Sequence, residues 1–181
     1  MPPPKLTRAS WVYVTVGGFI AIGAIAAIAA LTGITFIFPP LGATAFLQLY
    51  VPQAPVASPR NTIIGHALGI VGGALALLLT GLWNADHALA NQMSWQQVLA
   101  AALSMAISGG LMAKLNLGHP PAAATSLIVS LGLVHTYNGL LLLEGAVVLL
   151  TAITYTVNRI AGIPFPLWAP PRPGEHLHRH V

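Results

Sequence analysis

The sequence predicts an all-α polytopic membrane protein with six membrane segments, arranged as two inverted repeats of three that each contain a Pro-Pro-broken helix. Three observations predict this fold class. The 181 residues are 56% hydrophobic and 6% charged, with a mean hydropathy of +0.79. Six apolar runs are separated by short polar stretches. The second and the fifth run also share a Pro-Pro motif at corresponding positions.

This composition argues against several classes of protein. Soluble domains carry about a quarter charged residues, which nearly excludes a soluble enzyme, and disordered chains are polar and charged. The pI near 10 comes from seven Lys and Arg against three Asp and Glu. These cations are dispersed along the chain, unlike those of a nucleic-acid surface. The chain has no cysteine, which excludes disulfides, thiolate catalysis and Cys-ligated metals.

Polar punctuation divides the chain into a leader, two membrane repeats, a loop and a tail. Residues 1–10 form a basic leader without a signal-peptide cleavage site, which we interpret as a retained N-terminus. Membrane repeat 1 covers 11–82 and membrane repeat 2 covers 95–158. An extracytoplasmic loop over 83–94 joins them, and a cytoplasmic Pro/His/Arg tail covers 159–181. The six predicted segments are 11–31, 34–51, 61–82, 95–113, 115–135 and 139–157. The third contains Gly65-x-x-x-Gly69-x-x-x-Gly73, which is suited to close helix contact.

An internal repeat relates the two halves of the chain. Phe38-Pro-Pro-Leu-Gly-Ala-Thr44 and His119-Pro-Pro-Ala-Ala-Ala-Thr125 match as x-Pro-Pro-x-x-Ala-Thr, 81 residues apart. Each copy interrupts the middle run of a set of three, and a repeat of this kind defines an architecture. Three crossings per repeat predict opposite orientations of the two halves in the membrane.

The positive charges favour six crossings over four. With a cytoplasmic N-terminus and six crossings, all seven Lys and Arg lie on the cytoplasmic side, and the loop with Asp86 lies on the other. This is the distribution that the positive-inside rule expects. The alternative has four crossings and two re-entrant loops, and it places Arg60 and Lys114 outside.

The Pro-Pro motifs predict half-helices. Proline lacks an N–H and pushes the residue before it towards an extended conformation, yet it suits the first turn of a helix. A helix over 41–51 reaches only about 16 Å across a ~30 Å hydrocarbon core, so its start lies near the midplane. Two such starts, with free N–H groups and positive dipole ends, form a site for a small anion. The alternative is that each Pro-Pro only kinks a continuous helix.

Three short segments also carry a family resemblance. They are Pro39-Pro-Leu-Gly-Ala-Thr44, Ser58-Pro-Arg-Asn61 followed by Gly65-His66, and Leu117-Gly-His-Pro-Pro-Ala-Ala-Ala-Thr125. Through them the chain resembles the HPP family of small integral membrane proteins. Members of that family are similar to nitrite transporters of chloroplast envelopes and cyanobacterial membranes. The resemblance therefore implies nitrite as the substrate and a bacterial or cyanobacterial plasma membrane as the location, whereas spacing and composition predict only a small anion.

The candidate substrate-binding residues are those of the Pro-Pro segments and the polar side chains near them. His119 can donate to an anion or, as imidazolium, couple anion movement to a proton; a cap or packing role is the alternative. His66 either faces this site or bonds a neighbouring carbonyl, and Asn61 lies beside Arg60 at the predicted cytoplasmic mouth. The full predicted set is Phe38, Pro39, Pro40, Leu41, Gly42, Ala43, Thr44, Asn61, His66, His119, Pro120, Pro121, Ala122, Ala123, Ala124 and Thr125.

Glu144 is the only acid inside a predicted segment. Near an anion its charge is repulsive, so it either serves a proton path or pairs with a His or Arg. The alternating His176, His178 and His180 are weak evidence for a metal. We predict no metal and no cofactor.

The leading hypothesis is a transporter of a small monovalent anion, nitrite by the family resemblance, bound between two half-helix starts near the midplane. An anion channel with the same site and a non-transporting subunit of a complex are the alternatives. We predict no enzyme activity, because no Ser/His/Asp set, metal-ligand spacing or pair of carboxylates occurs within the segments. We expect a homo-oligomer in the lipid bilayer and no nucleic-acid partner.

Overall fold

The protein is built from α-helices in a computed structural model that describes residues 10–85 and 93–170. These residues contain no strand, so the all-α prediction is confirmed for them. Residues 1–9 of the leader, Asp86 and the histidines of the tail lie outside the described residues. The helices are α1 (Trp11–Thr32), α2 (Pro39–Tyr50), α3 (Pro59–Leu79), α4 (Trp95–Lys114), α5 (Pro120–Ser130) and α6 (Tyr137–Ile160), with a short 3-10 helix over Pro55–Ala57.

Four of these helices, α1, α3, α4 and α6, are long and apolar enough to cross a membrane. They have 20 to 24 residues, which corresponds to about 30–36 Å of helix and matches a hydrocarbon core of ~30 Å. The chain is therefore an integral membrane protein. Six segments were predicted, but the described residues contain only four helices of spanning length, because the second and the fifth run are helical over only part of their length.

The helices α2 and α5 are the predicted half-helices. They have 12 and 11 residues, about 18 and 16 Å, and both begin at their Pro-Pro. Phe38 (φ −115°, ψ 144°) and His119 (φ −143°, ψ 95°) are extended, as the steric effect of proline on its predecessor requires. Because residues 34–38 and 117–119 are not helical, the alternative of a kinked continuous helix is wrong.

Local sequence also accounts for the other helix ends. Ser94 caps α4 through a reciprocal pair of bonds: Ser94 Oγ accepts from Gln97 N at 3.2 Å, and Gln97 Oε1 accepts from Ser94 N at 2.8 Å. The helix α1 ends at Gly33, whose φ of +68° is a left-handed conformation that favours glycine. These ends lie within two residues of those predicted from the apolar pattern.

We expect Ser94→Ala to lower the stability of the protein by about 1 kcal/mol, because the hydrogen bond that Ser94 Oγ accepts from Gln97 N at the start of α4 is lost. Ser94→Asp is the matched control, since Asp is an equally good cap residue. The measurement is the thermal unfolding midpoint in detergent. Equal midpoints for the Ala and Asp variants would contradict the capping role.

The described chain divides into two compact units. The first comprises the described residues of Met1–Thr62 and Ala146–Val181, and the second comprises those of Ile63–Gly145. The first unit holds α1, α2, the start of α3 and most of α6, and the second holds most of α3, α4, α5 and the start of α6. The third helix of repeat 1, α3, thus lies mostly in the unit that holds α4 and α5. The third helix of repeat 2, α6, lies mostly in the unit that holds α1 and α2. The inverted repeat itself stays a prediction.

The core of the first unit forms where α1 meets α2 and α6. A Cβ at Gly17 would lie 3.1 Å from Leu49 Cδ2 and 3.5 Å from Val157 Cγ1, so the helices touch at this glycine. Small and branched apolar side chains fill the contact. Its fully buried members are Ala21, Ile25, Leu41, Leu49, Val147 and Leu150.

The second unit is held together by glycines on α3. A Cβ at Gly72 would lie 2.9 Å from Ser108 Cβ on α4, and a Cβ at Gly73 would lie 2.7 Å from Ser126 O on α5. Such distances leave no room for any side chain on α3 at these points. The prediction that the glycine stripe makes close helix contacts is therefore confirmed.

Candidate functional site

His119 lies at the start of α5 and provides the first side chain of the site. It is the N-cap residue, but its side chain makes no cap hydrogen bond, so the capping alternative does not hold. Its ring is almost completely buried, with 1% exposed.

His66 on α3 joins this cluster. Its Nδ1 lies 2.7 Å from Thr125 Oγ1 on α5, and the tautomer of the ring decides which of the two atoms donates. The His66 and His119 ring centroids are 5.0 Å apart, with the rings tilted by 58°. His66 and Thr125 are both 0% exposed. The structure thus brings His66, His119 and Thr125 together inside the second unit, and we call these three residues the histidine cluster.

Two glycines on α3 make this cluster possible. A Cβ at Gly65 would lie 2.9 Å from His119 Cβ, and a Cβ at Gly69 would lie 2.5 Å from Ala122 O. The backbone of α3 therefore packs directly on the first turn of α5. This close approach carries His66, which lies between the two glycines in sequence, to Thr125.

The backbone at the start of α5 offers fewer donors than the sequence analysis expected. The first N–H groups of a helix have no partner within it, but Pro120 and Pro121 carry no N–H, and Ala122 N–H donates to His119 O at 3.0 Å. The expectation of a site made of free backbone N–H groups is corrected accordingly. At this helix start the donors are mainly side chains, and the helix dipole adds about half a positive charge.

The start of α2 in the first unit has the same local structure. Phe38 is the N-cap residue without a side-chain cap, and Leu41 N–H donates to Phe38 O at 2.9 Å. Thr44, which corresponds to Thr125 in the repeat, is completely buried. No histidine precedes these prolines, so the two helix starts differ in their side-chain donors.

The same face of the helix start is buried in both copies of the motif. Pro40, Leu41 and Thr44 are buried in the first copy, and Pro121, Ala122 and Thr125 in the second. Of the other predicted site residues, Asn61, His66 and His119 are buried, Phe38 and Ala123 are half-buried, and Pro39, Gly42, Ala43, Pro120 and Ala124 are exposed. The two copies of the motif therefore share their pattern of buried positions as well as their sequence.

The sequence analysis missed a buried polar network in the first unit. Gln48 of α2 donates through Nε2 to Thr62 Oγ1 at 3.1 Å and to Thr151 Oγ1 at 3.3 Å. Its Oε1 accepts from the Thr154 hydroxyl. All four residues are buried. The amide thereby ties α2 to α3 and α6 on both of its polar atoms.

Asn158 extends this network towards α1. Its Nδ2 donates to Gln48 O at 3.2 Å, and its Oδ1 accepts from Tyr13 OH at 3.1 Å. A signal was present in the sequence, because Thr151, Thr154 and Asn158 follow one another at spacings of three and four on one helix face. Gln48, an amide within an apolar run, was the natural partner for that face.

A metal site has no support in the described part of the chain. No group of three or more His, Asp or Glu side chains lies together there. The two rings of the histidine cluster are accompanied by a hydroxyl, which suits hydrogen bonding to a polar ligand.

Comparisons with known proteins agree with a membrane protein. A family model described as "HPP, transmembrane region" matches residues 3–166. A transmembrane protein of Dictyostelium discoideum is 34% identical over 125 residues, which cover 66% of this chain and 40% of that protein. A second transmembrane protein of the same organism is 32% identical over 93 residues, covering 51% of this chain and 27% of that protein. The chain thus spans less than half the length of either relative. No solved structure matches it.

Proposed function

Since this chain belongs to the HPP family of transmembrane proteins, we propose that it transports a small monovalent anion across the membrane, with nitrite as the substrate. The observation that carries the proposal is the histidine cluster, in which two buried rings and a buried hydroxyl meet at the start of a half-helix. We propose nitrite in particular because the Pro-Pro segments resemble those of a family whose members are similar to nitrite transporters. The chemistry of the cluster supports the broader class of small anions.

Hydrogen-bond donors bind a charged ligand more strongly in a medium of low dielectric than in water. Imidazole N–H and hydroxyl groups therefore bind an anion strongly where water is excluded. The dipole of α5 adds a positive end at the same place.

The transport cycle that we propose uses the repeat. Broken helices in inverted repeats mark the substrate sites of secondary transporters, and rocking of one repeat against the other gives alternating access. In this proposal the start of α5 contributes to the site, six segments cross the membrane, and both termini are cytoplasmic. We further propose a homo-oligomer in the bilayer.

The test is uptake of labelled nitrite into proteoliposomes, with nitrate, formate, bicarbonate and chloride as competitors. We expect saturable uptake that nitrite inhibits best, and a loss of about tenfold or more in His119→Ala, since a hydrogen bond to a charged ligand contributes about 1.5–3 kcal/mol. Alanine keeps the Cβ that faces Gly65 and removes only the ring, so folding should be preserved.

His135→Ala is the matched control. His135 belongs to the same unit, but its Nδ1 is 2.9 Å from Gly132 O and its ring lies against Trp83, so it is not part of the histidine cluster; we expect full uptake. Uptake that does not saturate would indicate a channel. No flux of any of these anions, or equal flux in wild type and His119→Ala, would refute the proposal.

A further inference from the structure

Glu144 on α6 has a buried carboxyl group that has no partner in the part of the chain that the structure describes. It is the eighth residue of a 24-residue helix, about 10 Å from the helix start. Both carboxyl oxygens are buried, and neither has a hydrogen-bond partner among the residues described. Polar groups in membrane segments nearly always have partners, so this side chain requires an explanation.

No residue along the helix can supply the partner. The side chains one turn before and after Glu144 are Leu140, Leu141, Val147 and Val148. The other ionisable groups of the second unit that the structure describes are engaged elsewhere or exposed. His66 contacts Thr125, His119 lies against His66, His135 contacts Gly132 O, and Lys114 and Tyr137 are exposed.

The arginines of the first unit that the structure describes also have other neighbours. Arg60 Nε lies 3.4 Å from Asn61 Oδ1, and the Arg159 guanidinium lies 5.9 Å from the centroid of the Tyr155 ring. Pairing of Glu144 with a His or Arg was one of the two alternatives that the sequence left open. Within the described ranges 10–85 and 93–170, that pairing is absent.

Chemistry limits which species can neutralise the carboxylate of Glu144. An unpaired carboxylate is costly in hydrocarbon, whereas a neutral carboxyl is much less so. A metal cation neutralises a carboxylate only when several more oxygen ligands surround it, and no polar atom of the described residues contacts this carboxyl. A proton needs no further ligand.

We propose that Glu144 binds the proton that crosses the membrane together with the anion, so that the protein is a proton–anion symporter. This inference rests on the proposed function and names its coupling ion. One proton and one monovalent anion carry no net charge together, so each cycle is electrically balanced. Glu144 takes the proton up on the side of high proton concentration and releases it on the other side.

The experiment compares wild type with Glu144→Gln in proteoliposomes, in two modes of nitrite movement. Net uptake is measured with and without an inward proton gradient, and nitrite counterflow is measured at equal pH on both sides. Nitrite is the base of a weak acid that itself crosses bilayers, so the flux into protein-free liposomes is subtracted. Glu175→Gln, the same chemical change at an acid outside the described residues, is the matched control.

We expect the wild-type and Glu175→Gln rates of net uptake to rise by up to about tenfold for one pH unit of gradient. Net uptake by Glu144→Gln should not respond to the gradient, while its counterflow persists, because the amide mimics the protonated carboxyl and still allows exchange. A gradient response that survives in Glu144→Gln would overturn the proposal, as would a dependence on sodium in place of protons.

A second readout does not depend on transport. Infrared difference spectra on a pH step should show, in wild type, a carbonyl band of a protonated carboxyl that is retained in Glu175→Gln and missing in Glu144→Gln. If wild type carries no nitrite but shows the band, the proposed function fails while proton binding by Glu144 stands. If the band is absent or persists in Glu144→Gln, the proton site is refuted even where nitrite is transported.

Discussion

Gly69→Ala should destabilise the protein by about 1–3 kcal/mol, the usual effect of forcing a methyl group into a packed contact. The added Cβ would lie 2.5 Å from Ala122 O and 3.4 Å from Ser126 N, both backbone atoms of α5. Backbone cannot rotate away as a flexible side chain does, so α3 and α5 must separate. The histidine cluster spans these two helices, and we therefore expect nitrite uptake to fall as well.

The thermal unfolding midpoint in detergent measures this effect, followed by the fluorescence of the four tryptophans. For a chain of this size the expected change is roughly 2–4 °C per kcal/mol. Gly23→Ala in α1 is the matched control, because a Cβ there meets nothing within 4 Å and alanine is the better helix former. If both variants unfold at the same temperature, α3 and α5 do not pack as described.

Gln48→Leu should have the second large effect on stability, about 1–3 kcal/mol. The leucine has a similar volume but can neither donate to Thr62 and Thr151 nor accept from Thr154. Buried hydroxyls then lose partners where no water replaces them. Because the amide ties the half-helix α2 to α3 and α6, we expect uptake to decrease more than expression.

The control for this variant is Gln96→Leu, the same substitution at an exposed position of α4. Its unfolding midpoint should remain close to that of wild type. A double variant, Gln48→Leu with Thr154→Val, should be less destabilised than the sum of the two single variants, since the two residues share one hydrogen bond. Strict additivity would contradict the network.

Much of the fold could be predicted because it depends on local properties of the chain. The four spanning helices follow from runs of apolar residues that are long enough for a bilayer. The half-helices follow from Pro39-Pro40 and Pro120-Pro121, since proline acts on its immediate neighbours. The close contacts of α3 could also be predicted, because Gly65, Gly69 and Gly73 recur every four residues on one helix face.

The donors at the helix starts show where local reasoning was incomplete. An ordinary helix start has four N–H groups without a partner in the helix, but the two prolines remove two of them here. The third donates to the carbonyl of the N-cap residue, as Leu41 does to Phe38 and Ala122 to His119. The loss of two backbone donors could have been predicted from the two prolines, and it leaves side chains as the main donors of the site.

By itself the sequence determined the membrane environment, the spanning helices, the broken helices and the candidate residues, because each depends on composition or on neighbours in the chain. Only the tertiary structure decided that the glycine stripe packs on α5, that His66 meets Thr125 59 residues away, and that Gln48 bonds Thr154 106 residues away. It also decided that Glu144 has no partner among the described residues. Partners so distant in sequence are selected by how the helices pack, and a sequence pattern gives the face of a helix but not the helix that covers it.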